Sequence, residues 1–145
     1  MKMPQRIYLD ANIYLDYFLD RSDNVLPIGL YASKLLNEAV SCKYLVLVSK
    51  TVIDEICKVL RIEESAVFEK IFPDLIEANK ILNVELTKEV KARAQEFQKS
   101  KNIPLIDSFH LAFALENEAI LVTRDNHFEE LRNHFQIKAP EELIF

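Results

Sequence analysis

Tyr44-Leu45-Val46-Leu47-Val48 is an unbroken apolar run that opens directly into Ser49-Lys50-Thr51. A strand that is apolar on both faces belongs inside a sheet covered by helices on both sides, as parallel sheets are. Ser49 or Thr51 can cap a helix that starts at once and runs to residue 61, with Ile53, Ile56, Cys57 and Leu60 on its strongest face. Moving outward, the same alternation repeats. Residues 6–9 read as a short buried strand and 11–20 as a helix, with Ile13, Tyr14, Tyr17 and Phe18 at helical spacing. A polar turn over 21–24 leads to a second helix over 26–40. Downstream, the pattern predicts a helix over 64–78 that Pro73 kinks or ends, and a weaker strand over 81–86. A charged helix capped by Thr87 follows over 87–101, and Pro104 fits the first turn of a helix to residue 116. A strand over 119–123, a short helix over 126–133 and a last strand over 136–138 complete the chain. Strands alternating with helices define an α/β chain with a mainly parallel sheet. Without repeats, low-complexity tracts or linkers, residues 1–145 read as one domain.

Composition narrows the function. The chain has 145 residues, enough for one sizeable core. Half are hydrophobic and 28% charged, as in a soluble globular protein. No apolar run approaches the roughly 20 residues that span a bilayer. Met1-Lys2-Met3-Pro4 runs straight into the first strand, so no signal peptide and a cytoplasmic location are expected. A net charge of −5 argues against holding nucleic acid by bulk charge, but not against an enzyme that reaches phosphate through a metal ion. The single glycine, Gly29, excludes the glycine-rich loops of P-loop and dinucleotide-binding proteins and implies helices joined by short polar turns. Cys42 and Cys57 form neither a CxxC pair nor a Cys/His metal spacing, and Cys57 reads as a buried reduced thiol.

Four acids then stand out. Asp10 closes the run Ile7-Tyr8-Leu9, and Asp125 lies two residues past the strand ending at Thr123. In open parallel sheets ligands bind outside the carboxyl ends of the strands, so both acids belong to one rim. Asp107 lies in the first turn of a helix apolar almost all round, where a carboxylate is costly unless paired or metal-bound. Glu55 sits early in the helix after residues 44–48, but points away from that helix's strongest face, and its neighbour Asp54 competes with it. Like charges gathered in one pocket repel unless a cation joins them, which points to a divalent metal and phosphodiester chemistry. Among the histidines, His110 reads as a core residue on the face of Ile106, Phe109 and Phe113, and His127 and His134 as surface residues. Asp16, Asp20 and Asp23 read as solvent-facing.

The motifs Tyr8-Leu9-Asp10-Ala11-Asn12, Thr51-Val52-Ile53-Asp54-Glu55-Ile56, Leu105-Ile106-Asp107-Ser108-Phe109-His110-Leu111-Ala112 and Leu121-Val122-Thr123-Arg124-Asp125-Asn126-His127-Phe128 occur in an order and context that resembles the PIN-domain family. That family comprises metal-dependent ribonucleases and includes VapC-type toxins. The resemblance implies a three-layer α/β/α fold. It also implies an Mg²⁺- or Mn²⁺-dependent endoribonuclease that hydrolyses RNA phosphodiester bonds, a candidate toxin of a type II toxin–antitoxin pair. It maps the family's acids onto Asp10, Glu55, Asp107 and Asp125, as metal-binding and catalytic residues, with Asp10 and Asp107 as core ligands. Asn12 and Thr123 fall where they would orient carboxylates, and Arg124 and Lys50 lie near the rim as candidate contacts to RNA phosphate. Many toxin members carry asparagine at the Asp125 position and an acid three residues on; here that later position is Phe128, so the four-acid form fits better.

Two other classes compete. One is a non-catalytic PIN-fold module that binds RNA or a protein. The other is an acidic phosphotransfer domain. Asn12 stands where a dehalogenase-like motif needs aspartate, and Arg124-Asp125 where a receiver needs lysine. Tyr14, Tyr17, Phe18, Leu30 and Tyr31 supply apolar surface for a homodimer or for an antitoxin helix.

Overall fold

A computed structural model describes residues 4–23, 25–41 and 43–144. Cys42, residues 1–3, on which the leader reading rests, and Asn24 at the end of the polar turn lie outside the described residues. In chain order the elements are β1 (Gln5–Leu9), α1 (Ala11–Phe18), α2 (Ile28–Val40), β2 (Tyr44–Ser49), α3 (Lys50–Leu60), α4 (Glu64–Ile71), α5 (Pro73–Glu77), β3 (Ile81–Val84), α6 (Lys88–Ser100), α7 (Leu105–Glu116) and β4 (Ile120–Val122). A 3₁₀ helix (Asn126–Leu131), β5 (Ile137–Lys138) and α8 (Pro140–Ile144) close the chain.

The strands form one five-stranded sheet in the order β3-β2-β1-β4-β5. Every pairing is parallel: Ile7 of β1 lies opposite Val46 of β2 on one side and Ile120 of β4 on the other. The apolar strand β2 sits inside the sheet, and Tyr44, Val46, Leu47 and Val48 are all buried. From β1 the chain winds outward through β2 to β3. Helices α6 and α7 then return it to the far side of β1, where β4 begins. Because such crossovers keep one hand, the reversal puts helices on both faces and opens a crevice between β1 and β4 at their carboxyl ends.

The structure agrees with the sequence reading at Pro73 and departs from it in detail elsewhere. Pro73 ends the first part of the 64–78 helix as expected, with Phe72 between α4 and α5; proline lacks the backbone N–H that would continue the helical ladder. The strand over 81–86 stops at Val84, and Leu86 is exposed. The 126–133 helix is 3₁₀, anchored by Asp125, which accepts the His127 amide hydrogen. Helix α8 has no counterpart in the sequence reading. It packs on α2 and is fastened by Tyr44 Oη donating to Leu143 O at 3.0 Å. Cys57 is a free thiol, half-buried rather than fully enclosed.

The lone glycine marks where α2 crosses the end of α1. A Cβ at Gly29 would stand 2.6 Å from the Asp16 carbonyl oxygen and 2.8 Å from the Arg21 amide nitrogen. Elsewhere the chain makes left-handed turns without glycine: Asp20, Arg61, Asn79, Asn102 and Glu118 all have positive φ.

Candidate metal centre

Asp10 follows β1 directly and caps α1, accepting the Ile13 amide hydrogen on Oδ1 at 3.2 Å. Its other oxygen, Oδ2, accepts a short hydrogen bond from Thr123 Oγ1, just past β4. Thr123 Oγ1 also accepts the Asp125 amide hydrogen at 3.1 Å. One hydroxyl therefore ties the first acid to the backbone of the last across the β1–β4 crevice. Asp10 is buried, and burial raises its carboxyl to about 6. The Thr123 hydrogen bond pulls the other way, while Glu55 pushes further up. A carboxyl lifted by burial gains from a cation brought against it.

Asp107 and Asp125 meet at His127. The imidazole Nδ1 lies 2.6 Å from Asp107 Oδ2 and 3.0 Å from Asp125 Oδ1. Asp107 is raised by burial first and by the Asp125 charge second, with His127 opposing both. His127 is raised in turn, mainly by its hydrogen bond to Asp107 and then by the Asp125 charge. Two carboxylates and an imidazole thus place ligand atoms within 4.8 Å of one another. Hard oxygen donors of this kind suit Mg²⁺ or Mn²⁺, and the residues present fit such an ion, because two carboxylates that would otherwise repel converge on one spot. The histidine side chain is 54% exposed, as its surface reading holds, but that reading missed its place in the cluster. The available signal was its spacing, two residues after Asp125 at the start of a helix.

Glu55 resolves against Asp54. Glu55 Oε1 lies 2.7 Å from His110 Nε2, whereas Asp54 is exposed and pairs with Lys50 at 3.2 Å. The α3 flank that carries Glu55 also carries the fully buried Val52, so this flank faces the protein near the rim. The distances group Asp107 with Asp125 and His127, while Asp10 and Glu55 stand outside that 4.8 Å set among the described residues. Charge still couples them, since Glu55 raises Asp10.

The remaining candidates are placed as follows. Asn12 is exposed on the first turn of α1 and lines a shallow cleft with Asp16, Arg124 and Asp125. Arg124 forms a paired contact to Glu141 of α8, at 2.9 and 2.6 Å. Lys50 is exposed and lies between Asp54 and Glu64. Asp16 is buried, not solvent-facing: α2 closes over the end of α1, and Arg21 pairs with it at 3.4 Å. His110 is a core histidine with both nitrogens bonded, as expected. Of the face read for it, Phe113 is buried and Phe109 half-buried, but Ile106 is exposed, and the ring packs against Tyr8.

A family model of the PIN domain matches residues 7–133, so the chain belongs to the PIN-domain family. No curated protein matches the sequence. The fold is similar to that of a toxin–antitoxin complex from Klebsiella pneumoniae, at 15% identity and a TM-score of 0.64, covering 92% of this chain and 97% of that one. It is also similar to FitAcB from Neisseria gonorrhoeae, at 16% identity and a TM-score of 0.62, covering 93% and 98%. A third similar structure, PAE2754 from Pyrobaculum aerophilum, has 17% identity and a TM-score of 0.58, covering 98% and 88%. No helix among the described residues is long and apolar enough to cross a membrane.

Proposed function

We propose that this chain is a Mg²⁺- or Mn²⁺-dependent endoribonuclease that hydrolyses RNA phosphodiester bonds, and that it serves as the toxin of a type II toxin–antitoxin pair. The convergence of Asp107 and Asp125 on one small ring, beside buried Asp10 at the switch point of the sheet, carries the reading. Asp107 and Asp125 would hold the ion, with Asp10 and Glu55 completing the site directly or through water. When bound, such an ion lowers the pKa of a coordinated water and neutralises phosphate charge.

The chain's own residues do the rest. Thr123 fixes the Asp10 carboxylate by donating to Oδ2, and the Ile13 amide fixes Oδ1. Glu55, half-exposed at the rim, is the group best placed to accept a proton from an attacking water. Arg124, which lines the cleft beside Asp125, and exposed Lys50 at the start of α3 would supply positive charge for phosphate. The similarity to a toxin–antitoxin complex favours an antitoxin protein as partner. Phe18, Leu19, Val25 and Leu30 leave apolar surface around the α1–α2 junction for that partner or for a second copy.

The deciding experiment is cleavage of single-stranded RNA with Mg²⁺, Mn²⁺ or EDTA, by wild type and by Asp10→Asn. The proposal requires metal-dependent cleavage that the substitution abolishes. Binding of RNA without cleavage under every condition would favour a non-catalytic module.

A further inference from the structure

A second polar arrangement lies behind the carboxylates and runs through four elements. Ser49 Oγ, at the end of β2, accepts the Val52 amide hydrogen at 3.2 Å and so caps α3. It lies 2.7 Å from Tyr8 Oη of β1. Tyr8 Oη lies 2.9 Å from His110 Nδ1 of α7, and His110 Nε2 lies 2.7 Å from Glu55 Oε1 of α3. Tyr8, Ser49 and His110 are all essentially inaccessible to water, so no solvent competes for these bonds.

The hydrogens can be assigned from this inventory. An ionised Glu55 can only accept, so Nε2 carries a hydrogen and donates it to Oε1. For a neutral ring, Nδ1 is then a lone pair that accepts from Tyr8. Tyr8, having donated, accepts from the Ser49 hydroxyl. Every donor points the same way, from the α3 cap to the glutamate. Glu55 Oε2 makes no hydrogen bond among the described residues and is left for the rim.

We propose that His110 is a positioning residue that fixes the Glu55 carboxylate at the rim, with its own ring locked in the Nε2–H form by Tyr8 and Ser49. This rests on the ribonuclease reading for its consequence, though not for its geometry. Helical phase alone does not aim Glu55 into the site; a donor from α7 does. A histidine buried only for packing would need neither a carboxylate that is 35% exposed nor an oriented chain behind it. Imidazole nitrogens bonded on both sides are the usual means by which proteins set a ring's tautomer and direction.

The test combines two readouts on the intact chain. In metal-free wild type, ¹⁵N NMR of His110 should show the neutral Nε2–H form; an Nδ1–H ring would overturn the assignment. Mn²⁺ affinity is then measured by calorimetry for His110→Leu, His110→Gln and Tyr8→Phe. The leucine variant should bind about 10–100-fold more weakly, as outer-shell losses do at metal sites. The glutamine variant keeps a donor and should recover much of the loss, and Tyr8→Phe should fall between. Wild-type affinity in the leucine variant would overturn the proposal, whatever its melting temperature. Should wild type bind no Mn²⁺, the ribonuclease reading fails separately. Side-chain order of Glu55, from ¹³C relaxation in the metal-free protein, then decides the positioning role: it must drop in His110→Leu. If the variants do not fold, the wild-type tautomer still decides.

Discussion

The two halves of the acidic rim are held in different ways. Asp10 and Glu55 are fixed from behind, one by Thr123 and the Ile13 amide, the other by His110. Asp107 and Asp125 are held from the front, by the exposed ring of His127. The first half is set by the packing of β1, β2, α3 and α7. The second half puts a titratable ring between the same oxygens a metal would use. Rigid support thus lies on the side of the sheet, and exchangeable charge on the side of solvent.

Asp10→Asn should have the largest effect. Cleavage should fall by more than the roughly 10–100-fold that outer-shell changes cost, because the carboxylate itself is lost. The metal-free protein should become more stable by roughly 1–3 kcal/mol, since a buried charge is removed. The sign follows from the shift: the folded value, about 6, lies above 3.8, so this residue's contribution is present below 3.8 and lost as pH rises through about 6. Thermal melts of metal-free wild type and variant across that range check it; a variant less stable at pH 7 would break the contrast between halves.

His127→Ala probes the open half. Mn²⁺ affinity of wild type should rise as pH climbs above 6.5, because the raised histidine must give up its proton and its place. The variant should flatten that dependence, read by calorimetry at several pH values. An unchanged slope would mean the ring does not compete with the ion.

Two substitutions beneath the halves should leave Mn²⁺ affinity alone. Gly29→Ala drives a methyl against backbone and should cost about 1–3 kcal/mol in urea unfolding. Glu118→Gly relieves a left-handed residue between α7 and β4 and should add up to about 1 kcal/mol, the smallest of these effects.

Much of this was legible beforehand, for identifiable reasons. Asp10 and Asp125 are local to strand ends, and strand ends share a rim in parallel sheets. Asp107 announced itself as a charge among apolar neighbours. Glu55 did not, because periodicity finds the most apolar face, whereas the flank of Val52 and Glu55 is covered only by distant elements. Asp16 was misplaced for the same reason: α2, closing over α1, hides a side chain that α1 alone would expose. His127 reads as a surface residue in the sequence because its partner Asp107 is twenty residues away. Helix α8 is too short for periodicity to detect, and tertiary contacts to α2 and Arg124 hold it.

The bond from Thr123 to Asp10 joins residues 113 positions apart. During synthesis, β1 leaves the ribosome early, while β4 and the 3₁₀ helix are among the last elements to emerge. The rim is therefore incomplete until the C-terminal segment is free to pair with β1. A nascent or prematurely terminated chain carries Asp10 and Glu55 without Asp125, so the acidic rim is completed only when the last segment of the chain has folded onto β1.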